Sequence, residues 1–354
     1  EQHGGEAILP YISAGNQGLL SLMFGDRLWH HLGATRVEGA LCGAVAGAGS
    51  SLANGTSKSL DPSELVHSRL IILWGTNTKL TNRHLWPTIE QARRDGARLV
   101  VIDPLRTVTA DDADWFIQPL PGTDVALMLA MMHVLIRDGL VDREWVDAHT
   151  TGFDLLAAHV REWTPEHAAA VCGIDARDIE ELARQYGTIR PAAIRTLIGA
   201  EHHEHGGMFF RTLACLPALV GAWRDRGGGF ARSVGSWTGT LVDDDALRAT
   251  HLRTRPGRVL DEVRLGTWLA DPAHQDEALA ILMAHMPTMQ RAAAEKAYSV
   301  LLDEKNGIYR DLKISRDGMK TVLRLRSAYG LPTKQLDNPE LYIDETVLDK
   351  ALRQ

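Results

Sequence analysis

The stretch from Arg69 to Asp103 constrains this chain most. "RLIILW" at 69–74 is an apolar run of strand length. "WPTIEQARRD" at 86–95 puts Trp86, Ile89 and Ala92 on one helical face, and Gly96 closes the helix. "RLVVID" at 98–103 is a second apolar run, and it ends in a carboxylate. Strand, helix and strand at this spacing form a βαβ unit with parallel strands. A parallel sheet buries both faces, so the chain must supply helices to both sides of it.

The following residues continue the alternation. "WFIQPL" at 115–120 predicts a third strand, and "TDVALMLAMMHVLIRDG" from Thr123 a helix apolar nearly all round and therefore buried. Asp175 with Asp178 resembles a capping box, Asp replacing the usual Glu, at the start of a helix to Tyr186. "PAAIRTLIG" at 191–199 reads as a strand and "GGMFFRTLACLPALVGAW" after it as one helix. The expected fold class is α/β: an open, mostly parallel, Rossmann-like sheet with helices on both faces, then a partial second α/β segment and a helical C-terminal tail.

Composition excludes several functions. The net charge of −7 over 354 residues gives no general basic face for nucleic acid. No apolar run approaches the roughly 18 residues of a membrane span. Cys42, Cys172 and Cys215 form no C-x-x-C pair, so neither a zinc ribbon nor a cysteine-held iron–sulfur cluster is encoded in these residues. Sparse cysteine usage fits a reducing compartment, and the expected location is cytoplasmic. No signal peptide is visible, although the chain opens with Glu1 rather than Met. No G-x-G-x-x-G follows a first strand, which counts against a simple nicotinamide-dependent dehydrogenase.

Ligands of open parallel sheets bind at the carboxyl ends of the strands. Three such ends carry polar or glycine-rich residues: Gly75-Thr76-Asn77, Asp103-Pro104-Leu105-Arg106 and Gly199-Ala200-Glu201-His202. Pro121-Gly122-Thr123-Asp124 lies at the amino end of the buried helix, where free N–H groups favour an anion. Asp103 suits a ribose hydroxyl or a guanine N–H edge. It equally suits capping its own loop or pairing with Arg106. "VEGALCGAVAGAG" at 37–49 sets Cys42 among small residues, which permit close approach of a bulky ligand or of a packed helix. It is not a P-loop, and the bland reading is a tightly packed helix with a buried thiol. "GAEHHEHGG" at 199–207 offers Glu201, His202, His203, Glu204 and His205, but in no H-E-x-x-H spacing, so a polar loop is the better reading.

With these stretches in order, residues 5–270 resemble the molybdopterin oxidoreductases of the dimethyl sulfoxide reductase and formate dehydrogenase superfamily. Order and spacing carry the likeness, above all from "ILWGTNTKLTNRHLWPTIEQARRDGARLVVIDPLRT" through "ADDADWFIQPLPGTDVALMLAMMHVLI" and again over "FDLLAAHVREWTPEHAAAVCGIDARDIEELARQYGTIRPAAI". The resemblance implies a molybdenum or tungsten atom held by two molybdopterin guanine dinucleotides, and two-electron chemistry on a small-molecule substrate. It implies that Gly75, Thr76 and Asn77 line one dinucleotide. Asp103 would accept from its guanine or ribose, with Arg106 close by. Gly122, Thr123 and Asp124 would hold the far end, and Gly199 and His202 would border the pterin. Cys42 falls where formate dehydrogenases of this family place the residue that ligates the metal, which favours its reading as a catalytic thiolate. Gly43 stands where those enzymes carry histidine, which counts against formate oxidation. Electrons would pass to an iron–sulfur partner or to domains outside this chain.

The implied organisation is a metal- and pterin-facing segment (1–60), a dinucleotide-binding domain (61–205), a partial second domain (206–272) and a helical tail (273–354). The tail resembles the C-terminal part of the substrate-binding proteins of nitrate- or sulfonate-type ABC importers. Lys58 and Lys79 are the only lysines before residue 295, and six follow it. That shift suggests segments of different origin, and low order is expected after about residue 273. The competing functions are a non-catalytic remnant or chimera that keeps the fold without its cofactor, and an importer's solute-binding protein.

Overall fold

A computed structural model describes residues 4–11, 18, 23–39, 42–233, 235–238, 241–253 and 257–262, and then 275–276, 279–280, 283, 290–301, 316–329, 335 and 338–342. The chain divides into two compact units, Glu1–Val263 and Arg264–Gln354.

The first unit runs through β1 (Arg36–Glu38), β2 (Leu70–Trp74), β3 (Arg98–Ile102), β4 (Trp115–Ile117), β5 (Ala192–Thr196), β6 (Gly229–Ala231) and β7 (Val259–Asp261). Five of these form one parallel sheet in the order β4-β3-β2-β5-β6, while β1 and β7 pair in parallel as a separate ribbon. β2 is central, and all five of its residues are buried. Its side chains alternate between two cores, as the pleat requires. Leu70, Ile72 and Trp74 join Val100, Ile102 and Ile194 on one face. Ile71 and Leu73 join Leu99, Val101 and Ala193 on the other. The expected helix-covered sheet is therefore present.

Helices α1 (Ala44–Asn54), α2 (Trp86–Arg94), α3 (Asp124–Arg137), α4 (Ala176–Thr188) and α5 (Gly206–Leu213) do the covering. α2 buries Trp86, Ile89 and Ala92 against the second core, the face that its periodicity specifies. α3 is buried from Ala126 to Met132 and packs against α4 and α5, so it has no polar stripe. α1 lies against α5 over small residues: a Cβ on Gly49 would sit 2.3 Å from the Gly207 carbonyl oxygen. Ala46 and Gly49, both buried, thus serve helix packing.

Three local expectations are refined. The single helix read from Gly206 breaks at Ala214, and Cys215–Leu219 continues as a separate turn. Pro217 lacks an N–H, and in a continuous helix its ring would meet the carbonyl four residues back, that of Leu213. At α4, Asp175 accepts from the N–H of Arg177 at 2.9 Å. The reciprocal half of a capping box is not formed, because the side chain of Asp178 is one methylene shorter than the Glu such a box uses. β4 stops at Ile117, ahead of Pro119, which has no N–H to donate to a ladder.

In the second unit, α6 (Arg291–Leu301) and α7 (Arg316–Tyr329) are described. Ala294 and Tyr298 bury against Leu279, with Met283 beside them. Arg291 bridges Asp276 at 2.7 Å and Glu295 at 2.8 Å. Most residues of the tail for which low order is expected lie outside the described ones. Among the described residues, no helix is long and apolar enough to cross a membrane.

Candidate functional site

The chain adds β3 and β4 on one side of β2 and then β5 and β6 on the other, so strand order reverses between β2 and β5. The register aligns the strand ends: Trp74 lies opposite both Ile102 and Thr196, and Ile102 opposite Ile117. At such a reversal the loops diverge and leave a crevice at the carboxyl edge. Gly75 and Gly199 meet there. Gly75 has φ +61°, and its N–H donates to the Ile102 carbonyl at 2.8 Å. A Cβ on Gly199 would lie 2.4 Å from the Gly75 carbonyl oxygen. The two loops pack backbone on backbone, which no larger residue at 199 permits.

The rest of the first loop is tied sideways. Thr76 is buried, its hydroxyl 3.2 Å from that of Thr78. Asn77 accepts from the hydroxyl of Thr109 at 2.7 Å, and Thr109 accepts from the N–H of Lys79 at 3.0 Å. Asn77 therefore joins the loops after β2 and β3.

Asp103 follows β3 directly. Its N–H donates to the Ile117 carbonyl, and its Oδ1 accepts from the N–H of Leu105 at 2.9 Å. Burial raises its carboxyl pKa, the Leu105 bond opposes that rise, and the nearby Asp124 carboxylate adds to it. Asp103 thus does cap its own loop. It does not pair with Arg106, whose Nε donates to Asp111 at 3.0 Å and whose guanidinium lies 5.3 Å from the Phe116 ring centroid. Arg106 is spent on its own loop.

At the start of α3, Gly122 has φ +78° with open space where a Cβ would point. Thr123 donates to the Leu120 carbonyl at 2.7 Å and leaves the helix without a side-chain cap. Asp124 accepts from the indole of Trp74 at 2.7 Å, and its other oxygen lies 3.8 Å from Nε2 of His203. Nδ1 of His203 accepts from the N–H of His205, which assigns the ring proton to Nε2. That Nε2 is buried with no hydrogen-bond partner among the described residues.

Cys42 sits just before α1, partly exposed. His202 reaches its carbonyl oxygen through Nε2 at 3.1 Å. The loop after β5 therefore brings Gly199, His202 and His203 to the same edge as Cys42, Gly75 and Asp124. The polar cluster in that loop does not converge on one point: Glu201 pairs with Arg232, His202 with Cys42, and His203 with His205. Among the described residues, no group of three His, Cys, Asp or Glu side chains is placed to hold a metal ion.

The sequence reading passed over β6 and two arginines that the sheet brings to this edge. Arg195, the fourth residue of β5, is 4 % exposed, and its Nε has no hydrogen-bond partner among the described residues. Burial first, then Arg232, lowers its pKa to about 10, so it stays charged at neutral pH. Arg232, just past β6, holds Glu201 through two nitrogens. Their one sequence signal is an arginine near the end of a strand, which is weak without knowing the strand order. The hydroxyl of Thr196, beside Arg195, is also buried without a partner among the described residues. Three unpartnered polar atoms near one carboxyl edge, those of Arg195, Thr196 and His203, fit an anionic ligand rich in hydrogen-bonding groups. A pterin dinucleotide is such a ligand, and the soft thiol of Cys42 suits molybdenum or tungsten.

Fold and site together define a doubly wound α/β protein with a cysteine, Cys42, tied through its backbone carbonyl to the switch-point loop. Residues 1–315 match the family model described as molybdopterin oxidoreductase, and the chain belongs to that family. The match runs past residue 272, where the sequence resemblance was expected to end. The chain is 40 % identical over 230 residues to the probable oxidoreductase YoaE of Bacillus subtilis, which covers 65 % of this chain and 34 % of that protein. It is 36 % identical over 165 residues to the alpha subunit of an F420-dependent formate dehydrogenase from Methanocaldococcus jannaschii, covering 47 % and 24 %. With the dimethyl sulfoxide/trimethylamine N-oxide reductase of Cereibacter sphaeroides it shares 34 % identity over 192 residues, covering 49 % and 23 %. The chain thus spans about a third or less of the length of these relatives. These matches give no support to the likeness of residues 273–354 to importer proteins.

Proposed function

We propose that this chain forms part of the catalytic subunit of a molybdenum or tungsten oxidoreductase that holds two molybdopterin guanine dinucleotides and acts on a small substrate. The observation that carries the reading is the meeting of Cys42 with the switch-point loop through His202, at the edge where Arg195, Thr196 and His203 keep unpartnered polar atoms. When bound, the metal–pterin group supplies two-electron transfer, and the protein supplies position and electrostatics. Cys42 offers a thiolate to the metal. Gly75 and Gly199 shape the crevice backbone, with Thr76 and Asn77 beside it. The second carboxylate oxygen of Asp103 makes no hydrogen bond among the described residues, and it receives guanine or ribose donors. Arg195 neutralises a phosphate. Gly122, Thr123 and the uncapped start of α3 border the far end of a dinucleotide. Arg106 joins only if it leaves Asp111. Electrons leave through an iron–sulfur partner or further domains.

The test is the metal and guanine-nucleotide content of the purified chain, made in a host that produces the pterin, for wild type and Cys42→Ser. About one metal per two guanine nucleotides, with metal lost in the variant, supports the reading. A chain with neither metal nor nucleotide has the family's fold without its cofactor, and the remnant reading replaces this one.

A further inference from the structure

We infer that Arg232, locked by Glu201, is a positioning residue for Cys42, and that Gly43 lacks a side chain because this guanidinium fills the space. Two consecutive carbonyls are held by side chains from distant segments. His202 donates through Nε2 to the Cys42 oxygen at 3.1 Å, and Arg232 donates through Nη2 to the Gly43 oxygen at 3.1 Å. The first arm comes from the loop after β5 and the second from the end of β6, so the peptide units beside the thiol are fixed against the sheet itself.

The Arg232 arm is restrained on several sides. Its Nε and Nη2 donate to the two oxygens of Glu201 at 2.7 and 2.8 Å, and the Glu201 side chain is fully buried. Its guanidinium lies 5.5 Å from the Phe210 ring centroid, and its backbone N–H donates to Ser59 at 3.1 Å. The Glu201 backbone is closely packed: a Cβ on Gly206 would fall 2.0 Å from its carbonyl oxygen. Planar, two-pronged pairing of this kind fixes orientation as well as charge. A Cβ on Gly43 would lie 2.6 Å from Nη2 of Arg232. A side chain after Cys42 and a guanidinium at 232 therefore compete for one volume, and this chain has the guanidinium.

The clamp bears on catalysis through the proposed thiolate ligand and rests on that reading, but it is testable without any cofactor. The experiment is the rate of alkylation by iodoacetamide at each cysteine of the cofactor-free chain, followed by mass spectrometry against pH. Cys172 is buried and donates to the Thr123 carbonyl, so its silence reports an intact fold. Because the thiolate is the nucleophile, a full pH–rate profile separates a changed pKa from changed access. Arg232→Lys keeps charge but loses the paired nitrogens, and His202→Ala removes only an exposed arm. Loss of one or two such bonds is expected to raise the pH-independent rate at Cys42 about five- to tenfold, with Cys172 unreactive. Should Arg232→Lys expose Cys172, His202→Ala and Gly43→Ala decide, since each loosens the same clamp. Rates at Cys42 within twofold of wild type in the folded variants overturn the inference and leave the cofactor reading standing. A wild type that takes up neither metal nor nucleotide overturns the cofactor reading and leaves the clamp.

Discussion

The indole Nε1 of Trp74 donates to Oδ1 of Asp124 at 2.7 Å, and this bond joins the end of the central strand to the first residue of the buried helix α3. It orients a carboxylate toward His203 and holds the β2 loop against the start of α3. Trp74→Phe keeps much of the apolar ring and loses the donor. The expected cost is at least about 1.5–3 kcal/mol by urea denaturation, the range for a hydrogen bond to a charged group, and the space left by the smaller buried ring adds to it. An unchanged midpoint would show that water replaces the indole without loss.

Asp103 makes stability fall as pH rises. Its folded carboxyl titrates above the ordinary value of about 4, mainly through burial. Between the unfolded and folded values the native chain keeps a proton that the unfolded chain has released, so ionisation works against folding there. Asp103→Asn carries no such charge and still accepts from Leu105. Thermal melts at stepped pH should show the variant gaining on wild type as pH rises through this window, then a constant gap. A gap independent of pH would refute the assignment.

Two glycines of the proposed site should differ in kind. Gly199→Ala drives a Cβ to 2.4 Å from a backbone oxygen, so the crevice loops must separate. The expected loss is at least about 2 kcal/mol. Gly122→Ala meets no atom within 4 Å and suffers only from φ +78°, a loss of about 1 kcal/mol. Urea midpoints at equal slope compare them directly.

The ion pairs also separate by burial. Glu201→Gln removes half of a pair whose acidic side chain is fully buried and leaves Arg232 uncompensated. It should destabilise by about 3–5 kcal/mol. Arg226→Ala breaks an exposed pair with Glu64 and should leave the melting temperature unchanged. Equal losses from the two substitutions would contradict the burial of Glu201.

The residues that were legible beforehand share a physical property. β2, β3 and α3 carry apolar runs long enough to specify strand or helix alone; Gly75 and Asp103 stand where the two strand runs end, and Asp124 where the helical run begins. β6 is only Gly-Phe-Ala, and the ribbon of β1 and β7 is three residues on each side. Strands that short are specified by their partners, which lie far away in the chain. The same limit hid Arg232 and Arg195, because an arginine near a strand end gains meaning only when its neighbours are known. It also left Arg106 open between partners, and the structure gives it to Asp111.

By itself the sequence determined the alternation of strand and helix, the burial of both sheet faces and the family, because local periodicity and ordered spacing carry that information. Only the tertiary structure decided that His202 and Arg232 hold the two carbonyls beside Cys42, that Asp124 belongs to Trp74, and that Gly75 and Gly199 touch. Each of those contacts joins segments remote in the chain, and its geometry depends on strand order and register, which no local pattern encodes.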